Sequence, residues 1–137
     1  MSSITIFREI TLKQIVTEAS KERTRQELRQ QLMSLNNDQL EFEENKNKTL
    51  TEFSLKGADV NQINKIRQQF DTQATKYHIG RDEIHLNMMA LDELKVGEEV
   101  VIGSVEGPFE IKIGDKLDVA VKAEIVLKDG IVVEIRQ

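Results

Sequence analysis

Apolar positions along the chain follow three successive patterns. Over residues 4–16, Ile4, Ile6, Ile10, Leu12 and Val16 alternate with polar Thr, Arg and Lys. A period near two predicts one long strand or two short ones. Phe7 and Ile15 interrupt the alternation, which predicts a bulge or a strand covered on both faces. Thr17 then has the chemistry of an N-cap, with Glu18 and Glu22 near the positive end of the coming helix.

From Thr17 to Lys56 the chain contains no Pro and no Gly. Leu28, Leu32, Leu35, Gln39, Phe42, Lys46, Thr49 and Phe53 recur at alternating spacings of four and three, a heptad seam that is polar in part of its middle. At 1.5 Å per residue, this helix extends about 58 Å. Gly57 supplies a left-handed C-terminal position, and Asp59 with Gln62 forms an expected capping box for a second helix. From Val60 to about Glu93 the seam continues through Ile63, Ile66, Phe70, Gln73, Tyr77, Gly80, Ile84, Asn87, Leu91 and Leu94. So short a connection predicts an antiparallel hairpin. Folding about residue 58 sets Phe53 against Ile63, Leu32 against Ile84 and Leu35 against Gly80. It also sets Gln39 against Tyr77, Lys46 along Phe70, and Asp38 beside Lys76. Gln39, Lys46 and Gln73 are polar layers expected to fix this register.

Beyond Lys95 the composition changes, with five of the seven glycines and the single proline, Pro108. Strands are expected at Val100–Glu106, Phe109–Ile113, about Val119–Leu127 and Ile131–Ile135. Asp129-Gly130 is a strong hairpin signal because both residues tolerate positive φ, and Gly107-Pro108 is read as a turn. The N-terminal strand lacks a local partner and is expected to join this sheet. The predicted fold is therefore α+β: a long antiparallel two-helix coiled-coil hairpin inserted in a small antiparallel β-sheet or partly open barrel formed by both termini. Residues 1–16 and 95–137 form the expected β domain. Residues 17–94 form the hairpin, with its turn near 57–59. The inner face of the sheet is expected to carry Ile4, Ile6, Ile10, Leu12, Val100, Ile102, Ile111, Ile113, Ile125, Leu127, Val132 and Ile135, or the alternating complement.

Composition narrows the function classes. The 137 residues include no Cys, which excludes a disulfide framework and thiolate chemistry and fits a reducing, cytoplasmic setting. With 24 acids against 19 bases, the net charge of −5 gives no electrostatic reason to expect DNA or anionic-membrane binding. No segment approaches the ~20 apolar residues of a membrane span. The first residues have neither the basic nor the apolar region of a signal peptide.

The segment Thr11-Leu12-Lys13-Gln14-Ile15-Val16-Thr17-Glu18 runs into a charged helix. Near the other end stand Ile111-Lys112-Ile113-Gly114-Asp115 and Val126-Leu127-Lys128-Asp129-Gly130-Ile131-Val132-Val133-Glu134-Ile135. With the long central helices, these segments resemble the YlqD family of bacterial proteins over nearly the whole chain. The resemblance implies a bacterial or cyanobacterial cytoplasmic protein of unassigned function, and it brings no active-site residues with it.

Candidate chemistry is sparse. His78, Asp82 and His85 share one face of the second helix at spacings of four and three, with Glu83 nearby, and form a weak candidate metal site. In the heptad register they fall on the solvated side. The sequence contains no G-x-x-x-x-G-K-S/T, G-x-G-x-x-G or H-E-x-x-H motif, and Ser104 lacks the spacing of a nucleophile elbow. No catalytic residue and no cofactor is therefore expected. Lys46, Lys48, Lys56, Lys65 and Arg67 make the hairpin tip basic, against Glu52 and Asp59. Met33 and Leu40 lie seven apart on one flank of the first helix, and Ile79 and Leu86 seven apart on the second, with Met89 nearby. A two-helix hairpin cannot bury both stripes. The expected function is a non-catalytic interaction or assembly protein, with its projecting hairpin used for oligomerisation or partner docking. A nucleic-acid or ribonucleoprotein accessory factor using the basic tip is the alternative, and a metal-dependent enzyme the third. The expected partners are further copies of the chain and a protein at the hairpin tip; nucleic acid is disfavoured and no membrane is expected.

Overall fold

The structure, a computed structural model, describes residues 2–137; Met1, the first residue of the expected β domain, lies outside them. The elements run β1 (Ser3–Ile15), α1 (Glu18–Leu55), α2 (Val60–Glu93), β2 (Glu99–Lys112), α3 (Leu117–Ala120), β3 (Ala123–Lys128) and β4 (Ile131–Arg136). This is an α+β fold. The chain divides into two compact units, one comprising residues up to Arg23 with Leu94–Gln137, the other Thr24–Glu93.

In the helical unit, α1 and α2 form an antiparallel hairpin. Contacts between them run in opposite order along the two helices: Arg25 with Asp92 at 3.5 Å, Leu35 against Gly80, and Lys46 with Asp71 at 2.9 Å. The turn has the expected chemistry. Gly57 takes φ 85°, and the Gly57 and Ala58 amides donate to the Ser54 and Phe53 carbonyls, closing α1. Asp59 and Gln62 bond reciprocally at 3.0 and 2.8 Å, opening α2. Burial follows the heptad: Leu28, Tyr77, Ile84 and Leu91 are buried, while Leu32, Leu35, Phe42, Phe70 and Ile63 are half-buried. Phe42 lies between two rings, edge-on to Phe70 at 5.6 Å and tilted against Tyr77 at 5.4 Å. A Cβ on Gly80 would stand 3.4 Å from Leu35 Cδ1, so the leucine packs directly over the glycine. Helix α2 runs through Gly80 without a break.

Polar side chains add detail to the register. Gln39 accepts a hydrogen bond from Arg81, whose long guanidinium reaches across the seam to Gln39 and to Asn36. Lys46 bonds to Asp71, next to Phe70. Lys76 places its ammonium 5.1 Å from the Tyr77 ring centre. Gln73 and Asn87 are exposed, and the half-buried neighbours Ala74 and Met88 take their places.

The β unit is an open four-stranded sheet in the order β2-β1-β3-β4. Both termini contribute to it, as expected, but the sheet is mixed and is not closed into a barrel. β1 pairs antiparallel with β2 and parallel with β3, and β3 pairs antiparallel with β4. The parallel pair arises because α3 intervenes before β3; Val119 and Ala120, expected in a strand, lie in that helical turn. Four strands are fewer than the about five of a small partly open barrel. Gly107-Pro108 is not a turn either. β2 continues through it as an edge strand, with Pro108 opposite Phe7, and an edge tolerates a residue that has no N–H to donate. The Asp129-Gly130 turn forms as expected, with φ 50° and 82°.

Candidate interaction surfaces

Paired residues on neighbouring strands project to the same face of a sheet. One face of the β unit therefore carries Ile111 beside Ile4, Phe109 beside Ile6, and Val105, Ile10 and Ala123 in one row. Leu12, Ile125 and Ile135 form the next row. This is largely the face expected to be inner: Ile6, Ile10, Leu12, Phe109, Ile111 and Ile125 are half-buried on it, while Ile4 is 66% exposed and Ile135 64%. Ile113, expected there too, lies just past the end of β2. The single turn α3 touches this face at Arg8, whose Nη1 donates to the Ala120 carbonyl at 2.7 Å. The Arg8 guanidinium stacks 3.9 Å from the Phe109 ring centre.

The opposite face is charged. Lys13 meets Glu124 at 3.1 Å, and Arg136 donates to Glu124 at 3.2 Å, to Glu134 at 3.0 Å and to both carboxylate oxygens of Glu99. Glu99 and Arg136 sit on the two edge strands, so an ion pair joins edges that no backbone ladder joins. Hydrogen bonds from Arg136 hold the Glu99 carboxyl below its ordinary pKa. Those from Lys13, then Arg136, do the same for Glu124. The three carboxylates raise the pKa of Arg136 in turn.

A third cluster lies where β1 hands over to α1. Thr17 is buried; its Oγ1 accepts from the Ser20 amide at 3.0 Å and donates to Asp129 Oδ1 at 2.7 Å. Ser20 Oγ accepts from the Thr17 amide at 2.9 Å. The expected N-cap is thus also a tie to the β3–β4 turn. Neither the Arg136–Glu99 pair nor the Thr17–Asp129 bond was visible in the sequence, because each joins residues distant in the chain.

His78, Asp82, Glu83 and His85 are all exposed on α2. Among the described residues, no group of three or more His, Cys, Asp or Glu side chains could hold a metal ion. No helix among them is long and apolar enough to cross a membrane. Met33, Leu40, Ile79, Leu86 and Met89 are 58%, 59%, 54%, 63% and 62% exposed. At the hairpin tip Lys48, Lys56, Lys65 and Arg67 are exposed, whereas Lys46 is half-buried and neutralised by Asp71.

The fold is similar to that of a solved protein of unknown function from Synechococcus sp. WH 8102. The TM-score is 0.72 at 22% identity, over 99% of this chain and 96% of that one. No curated protein matches the sequence. The model of the YlqD protein family matches residues 4–136, essentially the whole chain, and the protein belongs to that family.

Proposed function

We propose that the protein is a non-catalytic assembly protein whose helical hairpin packs through its apolar flanks against the hairpin of another copy. The observation that carries this reading is the exposure of Met33, Leu40, Ile79, Leu86 and Met89, each more than half accessible on helices whose remaining exposed positions are mostly polar. Large apolar side chains repeated along a helix are stabilised when another helix covers them. The lack of cysteine suits a reducing compartment, and this reading places the protein in the cytoplasm. Sedimentation of the double variant Leu40→Glu/Leu86→Glu tests it. A smaller assembly than the intact chain forms, with the helical circular dichroism retained, is expected; an unchanged mass would contradict the reading.

The exposed Lys48, Lys56, Lys65 and Arg67 support a second reading, in which the tip contacts nucleic acid within a ribonucleoprotein. Glu52, Asp59 and Asp71 stand among them and weaken the local field. Partners captured from native lysate that disappear on nuclease treatment would favour the second reading over the first.

A further inference from the structure

We propose that the cavity between α3 and the sheet is a binding site for a small organic carboxylate, an anion carrying a short apolar body. The cavity lies within the β unit and shares no residue with the hairpin flanks. Its volume of about 390 Å³ is that of a small-molecule site. Arg8 and Phe109 line it from the sheet, and Asp115, Lys116, Val119 and Ala120 line it from α3 and the turn before it.

Arg8 is the residue that selects an anion. It is half-buried on an otherwise apolar face, with its guanidinium against the Phe109 ring. Nη1 donates to the Ala120 carbonyl, whereas Nε is enclosed and has no hydrogen-bond partner. Among the described residues, no carboxylate pairs with Arg8. A half-buried charge without a counter-charge is costly, and so is a buried donor without an acceptor. A carboxylate group answers both, because its two oxygens match the parallel N–H directions of Nε and Nη2. The chain covers Nε, so this two-point contact closes only when the segment above it gives slightly. Helix α3 is lightly held, since Ala120 alone of its four residues is buried.

The other lining residues set the rest of the ligand. Asp115, the one acidic side chain among those described there, is committed to the turn, where it accepts from the Lys112 amide at 2.9 Å. Lys116 adds a second cation, and its side chain makes no capping bond to α3. Two cations against one engaged carboxylate favour a negative ligand. Phe109, Val119 and Ala120 present a ring and methyl groups, which suit an apolar body and offer no side-chain donors to the further oxygens of a phosphate.

The test titrates benzoate and hexanoate into the full, isotopically labelled chain and follows its amide spectrum. Both acids are expected to give saturable shifts at the Lys116 and Ala120 amides and at the Arg8 Nε–H. They are expected to bind about tenfold more tightly than benzamide, hexanamide or inorganic phosphate. No saturable shift with either acid would overturn the proposal. Equal binding of the amides would also overturn it, by making the cavity an apolar cleft only, and equal binding of phosphate would make it an unselective cluster of cations. Arg8→Lys keeps the charge and loses the two-point fork, and is expected to weaken both acids about tenfold. Because Arg8 also holds Ala120, Lys116→Gln is the second variant, at an exposed position outside the sheet. It is expected to weaken the acids and leave the amides unchanged. Acids bound as tightly by both variants as by the parent would refute the site. None of these outcomes bears on the hairpin reading.

Discussion

Thr17 connects local and distant structure through a single hydroxyl. It caps α1 by accepting the Ser20 amide and ties the β3–β4 turn by donating to Asp129. Removing a capping hydroxyl costs about 1–2 kcal/mol, and here a buried bond is lost as well. Thr17→Ala is therefore expected to lower the urea midpoint by an amount equivalent to at least ~1 kcal/mol, with Thr17→Ser recovering most of it. A midpoint within error of the parent would contradict this role. The Arg136 network makes a different prediction, in pH. Glu99 and Glu124 have pKa values lowered in the folded state. Their stabilisation is fully present above the ordinary carboxylate value of 4.5 and is lost as pH falls through the lower folded values. Arg136→Ala is expected to flatten the loss of thermal stability below about pH 4.5. An unchanged slope of melting temperature against pH would remove the network from the account.

Among the elements, the helices were the most legible. A heptad without Gly or Pro, Gly57 at the turn and the Asp59–Gln62 box are local signals, and each acts where it stands in sequence. The sheet was less legible. Gly107-Pro108 reads as a turn only while β2 is not known to be an edge strand, and edge position is settled by which strands pair. Val119-Ala120-Val121 is an apolar run too short to separate a strand from a helical turn by period. The parallel pairing of β1 with β3 joins residues over a hundred positions apart, and no local residue encodes it. At the candidate surfaces, the exposed apolar flanks of the hairpin could be listed from the heptad, whereas the exposure of Ile4 and Ile135 on a sheet face expected to be interior could not. Sequence alternation shows which residues share a face but not whether anything covers it. Gly80 allows an element-scale test. A Cβ there would meet Leu35 at 3.4 Å, an ordinary contact, while replacing a mid-helix glycine with alanine favours the helix by about 1 kcal/mol. Gly80→Ala is expected to raise the melting temperature and Gly80→Leu to lower it. A drop for alanine would mean that Leu35 has no room to give.

For the molecule as a whole, the proposed assembly follows from an imbalance. Large apolar side chains are accessible on both flanks of the hairpin, and two helices have too little material of their own to cover them. The proposed self-association would cover them. The most direct test is sedimentation equilibrium of the intact chain across a hundredfold range of concentration. The account predicts a mass well above the 15.7 kDa of one chain at the upper end of that range. A mass of 15.7 kDa at every concentration would contradict it.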